Sequence, residues 1–297
     1  MTRNSMFDGF SLETIDVNGV SIRTRRAGNG PPLLLMHGNP QTHVMWHKIA
    51  PKLAEHFTVV ATDLRGYGDS SKPPTDEKHM PYSKRAMAAD QVAVMRACGF
   101  ERFYAAGHDR GGRVAYRMAL DAAEAVQKLA VLDIIPTGDA YARMNLSVAM
   151  GYWQWLLLAQ PYDVPEHLIG LDPDWFWGQF VGGGTLPTFF APEAVAEYLR
   201  CFRRPENVHG MCEDLRAAAT IDSELDWADQ RAGRTIACPL LVLWGKNGTL
   251  PQWYDVLDVW RGWAPAVTGR ALPGGHYLPE EVPDETAQAL IAFFTRA

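Results

Sequence analysis

Five short, uninterrupted apolar runs at wide spacing constrain this chain more than any other feature. They are Pro32 to Met36, Phe57 to Ala61, Arg102 to Ala106, Leu129 to Leu132 and Leu240 to Trp244. A strand with one wet face alternates apolar and polar residues, whereas continuous runs fit strands covered on both faces. Helical patterns lie between the runs. Arg85 to Cys98 has helical apolar spacing with Gly99 as a stop, Arg113 to Ala123 follows the third run, and Glu285 to Phe294 closes the chain. The alternation predicts a doubly wound, mostly parallel α/β sheet. Ahead of it, Glu13 to Val17 and Val20 to Thr24 flank Asn18-Gly19, a dipeptide suited to the tight turn of a hairpin.

One stretch breaks the alternation. Residues 137–225 hold no strand–helix unit but many aromatics, among them Trp153, Trp155, Trp175, Phe176, Trp177, Phe189 and Phe190. This predicts a mostly helical cap inserted into a core formed by residues 1–136 and 226–297. Gly182-Gly183-Gly184 marks a loop within it.

The chemistry-bearing motif is Gly107-His108-Asp109-Arg110-Gly111. It ends an apolar run and opens a helix. The pattern Gly-x-nucleophile-x-Gly describes a sharp strand-to-helix turn whose tip side chain is exposed. The tip here is an aspartate, so a serine-esterase reading fails at its first requirement. His37-Gly38-Asn39-Pro40 follows the first long run, where this architecture supplies one oxyanion N–H, the other coming from the residue after the nucleophile. Those are the backbone amides of Asn39 and Arg110. A general base is expected late in the chain, and Gly275-His276-Tyr277 provides it. The orienting acid can follow either of two strands. Trp244-Gly245-Lys246-Asn247-Gly248 has no aspartate, whereas Leu129 to Leu132 is followed by Asp133, which is assigned to hold His276 in its working tautomer.

The bulk numbers exclude several classes. With 297 residues, 47% of them hydrophobic, the chain can bury a sizeable core. The net charge of -6 and the lack of a polybasic run give no support to a nucleic-acid or membrane partner. Cys98, Cys201, Cys212 and Cys238 have no C-x-x-C spacing, so buried free thiols are expected rather than a disulfide framework or zinc site. Met1 to Phe10 lacks the pattern of a signal peptide, and the apolar runs are too short to span a bilayer. The expectation is a cytoplasmic protein that needs no metal or cofactor.

These residues together resemble the α/β-hydrolase superfamily and, more narrowly, the haloacetate (fluoroacetate) dehalogenases. The resemblance runs over nearly the full length. It includes His37-Gly38 with Pro40 to His43, Asp109 to Arg113, the run Trp155 to Pro161, Met211-Cys212-Glu213-Asp214, and Gly275-His276 with Leu278 to Glu281. It implies an α/β-hydrolase fold with a helical cap, Asp109 as nucleophile, His276 as base and Asp133 as its partner. It also implies that Arg110 and Arg113 clamp a substrate carboxylate. The two stand one helical turn apart at a helix start, where the dipole also favours an anion. The implied substrates are small 2-haloacids, with water as co-substrate and an ester on Asp109 as intermediate. Members of the family often dimerise through the cap, so a homodimer is a further expectation.

The chain also departs from the family. The halide pocket of the fluoroacetate enzymes uses a cap His-Trp pair and a cap tyrosine, and those positions here read Gln154-Trp155 and Leu215. Gln154 can donate but carries no charge, and Leu215 donates nothing. Asn39 stands where haloalkane dehalogenases place a halide-donating asparagine. The expected halide pocket is therefore Trp155, Gln154 and Asn39, with chloride, bromide or iodide released more readily than fluoride. Two other readings remain. An epoxide hydrolase shares the Asp-His-Asp set but uses two cap tyrosines, a part that Tyr152 or Tyr198 would have to fill. A non-catalytic ligand-binding homologue would keep the triad as a vestige.

Overall fold

A computed structural model describes residues 5–296, so the signal-peptide expectation for Met1 to Phe10 falls partly outside the described residues. An eight-stranded sheet forms the middle layer, in the spatial order β1-β2-β4-β3-β5-β6-β7-β8. The strands are β1 Ser11–Val17, β2 Val20–Ala27, β3 Pro32–Met36, β4 Thr58–Thr62, β5 Phe103–His108, β6 Val126–Leu132, β7 Leu240–Gly245 and β8 Val267–Leu272. β1 and β2 are the expected hairpin, with Asn18 and Gly19 both at positive φ. Only the β1/β2 and β2/β4 pairings are antiparallel; from β4 to β8 every pairing is parallel.

The apolar runs explain this layer. Leu33, Leu34, Leu35, Val59, Val60, Ala105, Leu129, Ala130, Val131, Val242 and Leu243 are all fully enclosed. Such strands lie in the middle of the sheet because helices cover both faces. The helix Lys84–Ala97 starts on Ser83, whose side chain accepts from the Ala86 N–H, and ends before Gly99 at φ 91°. β8 is an edge strand, and its Val-Thr-Gly-Arg-Ala-Leu sequence stays largely in contact with solvent.

Between β6 and β7 the chain is helical from Thr137 to Arg231. The helix Ser223–Arg231 runs through residue 225, where the sequence suggested the insert would end. Gly183, at φ 60°, closes the helix Pro173–Gly182, so the glycine triplet is in part a helix stop. All four cysteines are free; Cys201 and Cys212 are buried, whereas Cys98 and Cys238 are only partly so. No helix among the described residues is long and apolar enough to cross a membrane. No cluster of His, Cys, Asp and Glu among them is arranged to hold a metal ion.

Candidate active site

The site lies at the carboxyl ends of the central strands, where an open parallel sheet offers a crevice. β5 ends at His108, and the helix Arg110–Asp121 begins immediately after Asp109. Asp109 itself sits at φ 45°, ψ -115°, a backbone conformation that a non-glycine residue adopts only when its surroundings enforce it. Glycine is required on either side. A Cβ on Gly107 would stand 2.3 Å from the Gly111 carbonyl oxygen, and one on Gly111 would stand 2.3 Å from that of Met36. The helix therefore packs directly on β5 and β3, and the Asp109 carboxylate stands at the tip of the turn.

Asp109 faces a cavity of about 270 Å³ shared with Asn39, Arg110, Tyr152, Gln154, Trp155, Leu215, His276 and Tyr277. Its Oδ1 accepts the Asn39 backbone N–H at 3.0 Å. Burial works against its charge, but His276, Arg110, His108 and Arg113 together hold its pKa below the usual carboxylate range. It is thus ionised without a neighbouring base.

Asp133 follows β6, one strand over, also at positive φ. Its Oδ1 accepts the Gly245 N–H at 2.9 Å, and its own N–H donates to the Leu243 carbonyl at 2.7 Å. Both partners belong to β7, so the strand that lacks a carboxylate steadies the one that carries it. Oδ2 accepts from His276 Nδ1 at 2.6 Å. This hydrogen bond places the other ring nitrogen, Nε2, on the cavity side as an acceptor. Burial alone would lower the His276 pKa, but the bond to Asp133 and that carboxylate's charge more than offset it and raise the value.

Two side chains hold the His276 loop. Glu281 accepts the N–H groups of Gly275 and Tyr277 at 2.5 and 2.7 Å. His108 donates from Nε2 to the His276 carbonyl at 2.8 Å, and burial keeps its ring neutral by lowering its pKa to about 3. His37 is a structural partner of the neighbouring loop, accepting the Leu64 N–H at 3.0 Å.

The two arginines have different settings. Arg110 is 1% exposed and grips Asp214 through Nε and Nη2, at 2.9 and 2.8 Å. Asp214 also accepts from the Tyr67 hydroxyl at 2.6 Å and pairs with Lys84. This fixes the guanidinium and leaves Nη1 buried without a partner. Arg113 does not reach the cavity wall. Its Nη1 donates to Ile135 O at 3.0 Å and Thr137 Oγ1 at 3.2 Å, and the Trp155 ring covers it, centred 4.5 Å from Cζ. One helical turn was enough to bring both cations to one helix face, but the junction after β6 takes up Nη1 of the second and leaves its Nε buried without a partner.

The expected halide residues Asn39, Gln154 and Trp155 all line the cavity, as does Leu215. Sequence reasoning missed Tyr277 and the apolar wall of Phe180 and Val181, for which it held no signal beyond proximity to His276 and the cap aromatics. Tyr152 lines the cavity and stacks on Trp155 at 4.8 Å, whereas Tyr198 is enclosed elsewhere and bonded to Glu280. A larger groove of about 780 Å³ runs along the cap, but its Glu166, Glu213, His209 and Arg216 are paired with one another and away from Asp109.

A nucleophile elbow, a histidine backed by an acid from the next strand, and a helical cap define an α/β hydrolase. Residues 31–283 match the family described as alpha/beta hydrolase fold, and the chain belongs to that family. A crystal structure of an alpha/beta hydrolase from Nostoc sp PCC 7120 superposes with a TM-score of 0.94 at 52% identity, covering 97% of this chain and 99% of that one. Within the family the chain is of the haloacetate dehalogenase-like type. It is 47% identical to a fluoroacetate dehalogenase from Burkholderia sp, over 98% of this chain and 96% of the other. It is also 32% identical to a soluble epoxide hydrolase from Corynebacterium sp, over 94% and 95%.

Proposed function

We propose that the protein is a hydrolytic dehalogenase of small 2-haloacids that prefers chloro-, bromo- and iodoacids to fluoroacids. The observation that carries this reading is the Asp109 carboxylate, facing a small cavity with Arg110 Nη1 unpaired beside it. In the first step Asp109 Oδ2 attacks the α-carbon, the carbon–halogen bond breaks with its electron pair leaving as halide, and an ester forms. Arg110 holds the substrate carboxylate, and Arg113 adds a positive charge from behind Trp155. Asn39, Gln154 and Trp155 surround the departing halide.

In the second step His276 Nε2 takes a proton from water, which attacks the Asp109 carbonyl carbon. The carbonyl oxygen is then Oδ1, which already lies at the Asn39 N–H, so charge develops where a donor waits. The Arg110 N–H at the helix start is the second donor. Collapse of the tetrahedral intermediate breaks the bond between the Asp109 carbonyl carbon and the ester oxygen, which takes the proton back from His276 as the 2-hydroxy acid leaves. Asp133 stabilises the imidazolium in between. A halide-release screen over fluoro-, chloro-, bromo- and iodoacetate and the 2-halopropionates tests the reading; no release from any of them would reject it.

Epoxide hydrolysis is the second reading. Tyr152 and Tyr277 both line the cavity and burial keeps both phenols protonated, so either could donate to an opening ring. Arg110 has no task with a neutral epoxide, which favours the haloacid. Styrene oxide turnover without haloacid turnover would reverse the order.

The cap also supports a homodimer. Leu146, Met150, Trp153, Leu156, Leu171 and Trp175 are exposed large apolar side chains on its helices. Exposed apolar side chains of this size are the kind that a second copy of the chain would cover.

A further inference from the structure

Glu280 takes no part in the chemistry above, yet it is 1% exposed. It lies four residues beyond His276, on the short helix Leu278–Glu281. Its Oε2 contacts the Gln41 side-chain amide, and its Oε1 accepts the Tyr198 hydroxyl at 3.2 Å. Gln41 belongs to the loop after β3, two residues past Asn39. Tyr198 belongs to the cap helix Pro192–Phe202. One carboxyl group therefore joins the Asn39 loop, the His276 loop and the cap.

Neither of its hydrogen-bond partners carries a charge. The nearby bases are otherwise engaged. His47 Nδ1 is 3.9 Å from Oε1, but it bonds the Val44 carbonyl at 3.0 Å, and burial lowers the pKa of its ring. Lys48 Nζ donates to the main-chain oxygens of Phe189 and Glu280 at 2.5 and 2.8 Å. On its own helix stands Glu281, and on the cap helix Glu193 and Glu197, so the remaining charged neighbours are acidic.

We propose that Glu280 works as an uncharged carboxylic acid, a positioning residue that fastens the cap to the two loops carrying Asn39 and His276. Burial first, and the charge of Glu281 in addition, outweigh its two donors and the charge of Lys48 and raise its pKa to about 8. The neutral acid accepts from Tyr198 with one oxygen. With the other it donates to Gln41 Oε1, which is buried and without a partner until the amide turns over. Ionisation removes that donor and leaves a buried charge with no cation bonded to its carboxylate, Lys48 being held by the two main-chain oxygens. Asn39 and His276 then lose their register with Asp109, and activity falls on the alkaline side.

The sign for stability agrees. A folded-state pKa raised from 4.5 to about 8 gives a contribution fully present below 4.5 and lost as pH rises to about 8. The test is Glu280→Gln, which keeps the shape and the donor but has no proton to lose. Between about pH 6 and about pH 9 its Tm should hold where the wild type declines. With haloacid as substrate, kcat/KM near neutrality should stay within about threefold of wild type while the alkaline fall moves up by a pH unit or more. Glu280→Ala should lose activity at every pH. A Gln variant with the wild-type Tm slope and alkaline limb, or one as impaired near neutrality as the Ala variant, overturns the proposal. The catalytic arm rests on the haloacid reading; the Tm arm needs no substrate, so the two failures are told apart.

Discussion

Leu215→Tyr places a hydroxyl on a wall of the cavity that offers no donor. Leu215 is 1% exposed, on the helix Pro205–Ala217, and lines the same cavity as Trp155 and Gln154. A larger ring can extend into the cavity of about 270 Å³ instead of the packed interior, so strain stays below the ~1–3 kcal/mol of an overpacked core. A hydrogen bond to a leaving anion contributes about 1.5–3 kcal/mol. That is roughly one to two decades in rate. Fluoride needs the donor most because it is the smallest and most basic of the halides, so the gain should fall mainly on fluoroacetate. Steady-state kcat with an ion-selective electrode for fluoride and chloride measures it, with Leu215→Phe as the ring without the hydroxyl. The fluoroacetate-to-chloroacetate ratio should rise about tenfold or more in the Tyr variant over the Phe variant. Equal ratios in the two would refute the assignment of Leu215 to the halide pocket.

Asp133→Asn removes the largest of the effects that oppose the burial of His276, so the acid limb of kcat, which follows the raised pKa of this base, should move to lower pH. The plateau should drop by up to about 10⁴-fold, read from a pH–rate profile. Arg110→Gln should raise KM for bromoacetate about tenfold or more and erase the preference over bromoacetamide, since the charge-assisted bond is lost while Asp214 keeps Lys84 and Tyr67. Leu171→Asp with Trp175→Asp should convert a dimer into monomers in sedimentation velocity, with little change in Tm because both side chains are exposed.

The sequence made the core layer readable because the strands β3 to β7 are apolar over most of their buried spans, with Thr58, Thr62 and His108 only at strand ends. β8 escaped notice for the opposite reason: an edge strand with exposed Thr268, Arg270 and Ala271 has no apolar run. Asp109 and Asp133 were legible because each directly follows an apolar run, and His276 because a base is expected late in the chain; the structure brings the three together. What the sequence did not show were the partners that take up the two arginines. Nothing in Met211-Cys212-Glu213-Asp214 announces that its last residue grips Arg110, or that Ile135 and Thr137 draw Arg113 off the cavity wall. Cap and core meet through such contacts, and the cavity is shaped by them.

The central claim is covalent attack by Asp109, and a single turnover of chloroacetate in heavy-oxygen water tests it most directly. Enzyme in excess over substrate should yield glycolate carrying ordinary oxygen, with the heavy oxygen in the peptide that contains Asp109. Heavy oxygen in the product and none in that peptide would mean that water attacks the substrate itself, and would contradict the account.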